Sequence, residues 1–208
     1  MGKAIRYDQL VDQLSLQVPA GVSQGVMIRA LRDSGKRFCS ESGAWRQNLT
    51  PITTVASQLA YAIVNEWSAD IIGINRVGIR TAAQITADPT DEGTEIWNGG
   101  YKFLPDSQKI SFSGAPATAA VTDALLVKAT LVPHDNSDEV AEWFISLYTG
   151  GIVSGAVESI CMMPQFYNER IVAKAGRNFN NEVCRAVRDA ETDFTEKHYQ
   201  IKGGYALL

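Results

Sequence analysis

The chain has 208 residues, 45% of them hydrophobic and 20% charged. This is ordinary globular composition, enough for a core that needs neither metal nor disulfide. The formal net charge of −4 excludes a surface built throughout to grip nucleic acid. Cys39, Cys161 and Cys184 lie too far apart for a CxxC metal pair, and an odd, scattered set points to a reducing compartment. MGKAIRYDQL, at the N-terminus, has no apolar leader and lacks the Ser or Thr of a myristoylation signal. No apolar run approaches the ~20 residues that span a bilayer. The expectation is a soluble protein made in a cytoplasm, with no membrane partner.

Residues 4 to 42 read as helical. Ile5, Leu10 and Leu14, with Tyr7 and Val11 close by, recur at spacings of three and four, predicting a short amphipathic helix. Pro19 and Gly21 break that pattern. Ser23 is placed to cap a second helix in which Val26, Met27, Ala30, Leu31, Ser34 and Phe38 share an apolar face. Arg29, Arg32, Lys36 and Arg37 fall elsewhere on it, and Gly43 is its stop signal.

From about 48 to 133 the chain reads as β. LTPITTVASQLAYAI is rich in Thr, Val and Ile, and Ile72 to Ile79 alternates apolar with polar residues. The two glycines between Trp97 and Tyr101 predict a hairpin turn. KISFSG and DALLVKATLVP read as further strands. Thr86 to Thr94 is acidic, aperiodic and broken by Pro and Gly, which predicts a mobile loop.

Helix returns after about 137. Ser137 stands as a cap with acids in the first turn, and Val140, Phe144, Leu147, Gly151, Ser154 and Gly155 follow at helical spacing. The small residues on that face predict close approach of another helix. Pro164 ends or kinks the segment. A last helix from about Gln165 to Glu196 carries Val172, Ala175, Phe179, Val183, Ala186, Ala190 and Phe194 on one side. The fold class expected is α+β: a helical bundle formed by the N-terminal and long C-terminal helices, with a β-rich insertion in the middle. It is read as one domain, 1–208. Its parts are helices at 1–47, the β-rich insertion at 48–133 with its loop at 86–100, long helices at 134–198 and a tail at 199–208.

Sites for chemistry are scarce. His134 and His198 are isolated and read as surface or capping residues. HExxH, GxSxG, P-loop and GxGxxG patterns are absent. TGGIVSG, Thr149 to Gly155, resembles a phosphate loop only superficially, because it lacks the Lys-Ser/Thr ending and sits in a helical pattern. Arg37 and Arg46 could lower the Cys39 thiol pKa, but a structural role for all three cysteines fits better. Asp91 and Glu92 fall in the loop and read as solvated. Arg170, Lys174, Arg177, Asn181, Arg185 and Arg188 form one narrow stripe at about 100° per residue, opposite the apolar side of the last helix. It reads either as a solvated face with weak pairs to Glu182, Asp189 and Glu191, or as a surface for an acidic partner or a phosphate backbone.

Met27 to Val55, MIRALRDSGKRFCSESGAWRQNLTPITTV, resembles the N-terminal segment of head-to-tail connector (adaptor) proteins of tailed bacteriophages. Ala30, Leu31, Phe38, Cys39, Trp45, Arg46, Pro51 and Ile52 carry the match. Tyr167 to Glu182, YNERIVAKAGRNFNNE, is similar to the final helix of tail tubular or gatekeeper proteins of short-tailed phages. The layout matches over most of the chain, the specific residues over about a fifth of it. The resemblance implies a non-enzymatic virion protein without cofactor or metal, made in the bacterial host cytoplasm. It implies a homo-oligomeric ring, dodecameric, beneath the portal protein. That ring extends the channel for genomic double-stranded DNA without binding it specifically, and docks a tail or tail-completion (nozzle or gatekeeper) protein.

Within that family Phe38, Cys39 and Trp45 are expected to pack, and Arg46 to anchor the helix end or a subunit contact. The stripe Arg170, Lys174, Arg177, Arg185 and Arg188 is expected to meet a neighbouring subunit, the portal or DNA. Tyr205, Leu207 and Leu208 are expected to order on a partner. A tail-side gatekeeper or tail terminator ring is the alternative. Readings from other classes are a thiol enzyme using Cys39 or Cys161, and a nucleic-acid module using the arginine stripe.

Overall fold

The computed structural model describes residues 4–135 and 137–192. In chain order the strands and helices begin with β1 (Ala4–Arg6), α1 (Val11–Ser15), α2 (Gln24–Ser42), β2 (Arg46–Asn48), β3 (Ile52–Thr54), β4 (Ala60–Ala62) and β5 (Ala69–Ile79). They continue with α3 (Ala82–Ala87), β6 (Thr94–Glu95), β7 (Tyr101–Leu104), β8 (Lys109–Phe112), β9 (Val121–Pro133), β10 (Glu139–Ala141), α4 (Glu142–Cys161) and α5 (Glu169–Glu191). Two compact units result. The described parts of Met1–Trp45 and Val132–Leu208 form one, and Arg46–Leu131 forms the other.

The first unit is built on α2, α4 and α5. Ser23 caps α2 by accepting from the Val26 N–H at 3.5 Å. Gly43 ends it with φ +58°, a left-handed turn that favours glycine, and its N–H reaches the Cys39 carbonyl at 2.9 Å. Phe38 is the hub. Its ring centroid lies 5.9 Å from Phe144 and 5.3 Å from Tyr148 on α4, and 5.8 Å from Phe179 on α5. Burying such a side chain contributes about 1.5–3 kcal/mol. The small residues of α4 admit this crowd: a Cβ on Gly151 would lie 2.5 Å from Phe38, and one on Gly155 would lie 2.3 Å from the Ser34 Oγ of α2 and 2.7 Å from Phe179. The close approach expected of that face is therefore met on both sides. α4 is irregular at Tyr148 (φ −120°, ψ 16°), one turn before Gly151.

The second unit holds two sheets. One runs β2-β9-β5-β6, with β3 also paired to β9; the other runs β4-β8-β7. Arg46 pairs with Thr130, so the two ends of this unit meet as neighbours across one strand pair.

The expected helical bundle with a single β-rich insertion is corrected. Among the described residues the fold is mixed α/β, with five helices and three antiparallel sheets. One sheet, β1 with β10, lies in the helical unit, and helix α3 lies in the other. The N-terminal segment begins as a strand, turns through a 3-10 helix at Tyr7–Leu10 and keeps only five α-helical residues. Its partner strand lies over 130 residues away, and three residues are too few to carry a period.

Further boundaries differ. Ser137 does not cap a helix: its hydroxyl donates to the Glu139 carbonyl and accepts from that residue's N–H, turning the chain into β10, and α4 starts only at Glu142. The hairpin expected at Gly99 and Gly100 forms instead between β7 and β8, closed by Gln108 at φ +48°. Neither of those glycines takes the positive φ that a two-residue hairpin turn requires. Segment 86–100 contains the end of α3, β6 and a 3-10 turn at Asn98–Gly100. Asn168 caps α5, its Oδ1 accepting from the Ile171 N–H at 3.1 Å, after Pro164–Phe166 has ended the preceding segment. α4 has the length and composition of a membrane span, which no uninterrupted apolar run signals; 67% of that window is buried inside the fold.

Candidate functional site

The stretch that carries the family resemblance is a packing device. Phe38, Cys39 and Trp45 are fully buried, and the Trp45 ring lies 6.1 Å from Phe144. The turn after α2 is locked by the Ser42 hydroxyl, which donates to the Phe38 carbonyl at 2.7 Å and accepts from the Ala44 N–H at 3.2 Å. Burial pushes the Cys39 thiol well above its ordinary pKa, so the thiolate that nucleophilic chemistry needs is disfavoured there. Burial also pushes up Cys161; Cys184, read as lying beside the apolar stripe, is exposed. Arg46 is half-buried at the start of β2.

The basic residues of α2 are engaged within the molecule. Arg32 pairs with Asp138, Lys36 with Asp135, and Arg29 with Asp33 at 3.9 Å. Arg37 reaches Glu41 at 2.8 Å and Glu158 at 2.9 Å, while its guanidinium stacks 4.3 Å over the Phe179 ring. They form no free basic patch.

The α5 stripe is exposed along its length and points away from the buried Ala175, Phe179, Ala186 and Ala190. It divides in two. Arg185 turns back onto α4: its Nη2 donates to the Leu147 carbonyl at 2.6 Å, beside the irregular Tyr148, and its guanidinium lies 5.5 Å over the Tyr148 ring. It also pairs with Glu182 at 2.8 Å. Arg188 donates to the Cys184 carbonyl at 3.3 Å. By contrast, the side chains of Arg170, Lys174 and Arg177 make no hydrogen bond or ion pair among the described residues. Arg170 and Lys174 border a groove of about 490 Å³ between α4, α5 and Gln17. Tyr205, Leu207, Leu208, Phe194 and His198 lie outside the described residues.

In the second unit a cavity of about 320 Å³ is bordered by charges of both signs, among them Arg76, Glu92 and Asp91. Arg80, which sequence reasoning did not single out, is 6% exposed; it donates to the Pro89 carbonyl at 2.7 Å and the Asp123 carbonyl at 2.6 Å. It pins the acidic segment against the sheet. Along that segment Asp88 accepts from Thr90, Asp91 accepts from the Gly93 N–H at 2.8 Å, and Glu92 and Glu95 both reach Arg76. Bonding from Thr90 holds the Asp88 carboxyl below its ordinary pKa. Its acids are thus tied within their own unit. No group of three or more His, Cys, Asp or Glu side chains among the described residues has a metal-binding arrangement. No protein-family model and no curated protein sequence matches the chain.

Proposed function

We propose that this chain is a structural virion protein, a head-to-tail adaptor of a tailed bacteriophage. In this reading its copies form a ring, dodecameric, beneath the portal protein. The ring lengthens the DNA channel and offers a docking surface to a tail or tail-completion protein. One observation carries the reading. The residues of the family-like motif fall where the chain passes from the helical unit to the β unit: Phe38 and Cys39 inside the first core, Trp45 as its last residue, Arg46 as the first of the next. Such placement is what a motif that specifies architecture requires, and it gives Cys39 no access to a substrate. The net charge of −4 suits a channel that lets duplex DNA slide, because phosphate neutralisation would make binding tight and salt-dependent.

The test is co-expression with the portal protein of the same genome, followed by electron-microscope class averages. A second ring stacked on the narrow end of the portal is the expected result, and its symmetry is read directly. Bare portal rings, with this protein left unbound, would refute the adaptor role. So would tight binding of duplex DNA by the purified assembly at physiological salt.

A further inference from the structure

We propose that the cavity of the second unit is a binding site for a small organic carboxylate, held through Arg80. The inference goes beyond the adaptor reading and stands without it. All of the residues that line the cavity belong to the one unit Arg46–Leu131. Arg80 borders it as a guanidinium that is 6% exposed and has no carboxylate partner among the described residues. Its Nη1 donates to the Pro89 carbonyl at 2.7 Å and the Asp91 carbonyl at 3.4 Å, and its Nη2 to the Asp123 carbonyl at 2.6 Å. Its Nε is buried without a hydrogen-bond partner among the described residues. Carbonyl dipoles satisfy donors but do not cancel a full charge, and a buried unpaired charge is among the costliest groups a fold can keep. A carboxylate that accepts from Nε supplies both the missing hydrogen bond and the missing countercharge.

The walls define the ligand. Arg76 is matched within the unit by Glu92 and by Glu95 at 3.7 Å, Lys128 is engaged as well, and the Asp91 carboxylate accepts from the Gly93 N–H at 2.8 Å. Asp88, whose carboxyl is held below its ordinary pKa chiefly by Thr90 and least by the Arg80 charge, is exposed and makes no ion pair with it. One positive charge is thus left for one negative group, and the carboxylates of Asp91 and Glu92 on the wall repel an anion that carries more. Leu49, Pro51, Leu126 and Val127 complete the lining with apolar surface that suits a hydrocarbon body. The volume of about 320 Å³ lies at the small end of ligand sites, which run from about 300 to about 1,000 Å³. The wall is also formed in advance: a Cβ on Gly78 would lie 2.5 Å from the Glu92 carbonyl oxygen, so glycine there lets the acidic segment close over the sheet.

The experiment uses the full chain, sodium benzoate, and benzamide as the uncharged counterpart of the same shape, all at constant ionic strength. Nuclear magnetic resonance follows the Arg80 Nε–H and the backbone amides. Benzoate is expected to shift the Nε–H resonance together with the amides of Gly78 and Val127, and benzamide to shift neither. Because Arg80 also pins the acidic segment, R80Q is paired with L126W, which fills the cavity and leaves the guanidinium in place. Each is expected to weaken benzoate binding about 10-fold or more, L126W with an unchanged circular dichroism spectrum, while R29Q, in the other unit, leaves binding unchanged. No shift at about 10 mM benzoate, an equal response to benzamide, unchanged binding by L126W, or shifts scattered over other cations overturns the proposal and leaves Arg80 as a pin whose charge three carbonyls carry. Tighter binding of inorganic phosphate at the same residues overturns the choice of a carboxylate.

Discussion

Gly150 and Gly155 stand five residues apart in the same helix, and alanine at each is expected to change stability in opposite directions. Replacing a helical glycine by alanine gains about 1 kcal/mol from backbone entropy alone. At Gly150 nothing lies within 4 Å of the new methyl, so that gain is kept. At Gly155 the methyl arrives 2.3 Å from the Ser34 Oγ and within 2.9 Å of two carbons of the Phe179 ring. Ser34 would lose its 2.7 Å bond to the Ile152 carbonyl, and Phe179 would be driven toward Phe38. Overpacking costs about 1–3 kcal/mol and a broken buried hydrogen bond about 1–3 kcal/mol more, for a net loss of about 1–5 kcal/mol. In a chain of this length 1 kcal/mol moves the melting midpoint by about 2–4 °C. Melting followed by far-ultraviolet circular dichroism should therefore show Gly150→Ala rising by a few degrees and Gly155→Ala falling by more. Equal shifts of one sign would refute the claim that α4 meets α2 and α5 by backbone approach at Gly155.

Trp45→Ala is expected to lose about 3–5 kcal/mol of stability and, on the proposed adaptor reading, to prevent ring assembly; unchanged melting would end the packing account of the motif. Arg185→Ala should cost about 1–2 kcal/mol by removing the bond to Leu147 and the cation over Tyr148, whereas Arg177→Ala should stay within about 0.5 kcal/mol; chemical denaturation compares them. The Tyr7 hydroxyl is buried without a hydrogen-bond partner among the described residues, so Tyr7→Phe should stabilise by about 1 kcal/mol. Burial holds the phenols of Tyr7 and Tyr148 protonated beyond their ordinary pKa of 10.0. An unfolded chain releases those protons first, so this stability is complete below about pH 10 and declines as pH rises past it. Tyr7→Phe should flatten that alkaline decline in a pH series of melting curves.

What could be read from the sequence was what local chemistry fixes. Ser23 and Gly43 bound α2 because a cap and a left-handed stop act within one turn of the residues they bound. The small face of α4 was readable because Gly151, Ser154 and Gly155 share one side of the helix. β1 was hidden, since its pairing with β10 depends on residues distant in sequence. The hairpin was misplaced because paired glycines permit a tight turn without requiring one. The α5 stripe was visible as a period of charge, but its division was not: whether Arg185 answers to Leu147 while Lys174 meets no partner among the described residues depends on where α4 breaks.

The pairing of Arg46 with Thr130 bears on how the protein is made. The middle unit has its entry and exit side by side, so it can complete itself while still tethered to the ribosome. α2 cannot, because the aromatic rings that surround Phe38 belong to α4 and α5. At about 5–20 residues per second, the roughly 100 residues between the end of α2 and the start of α4 leave α2 without its α4 and α5 partners for about 5–20 seconds or more. Each newly made chain thus carries a period of exposure to chaperones, and to other nascent copies, written into the order of its segments.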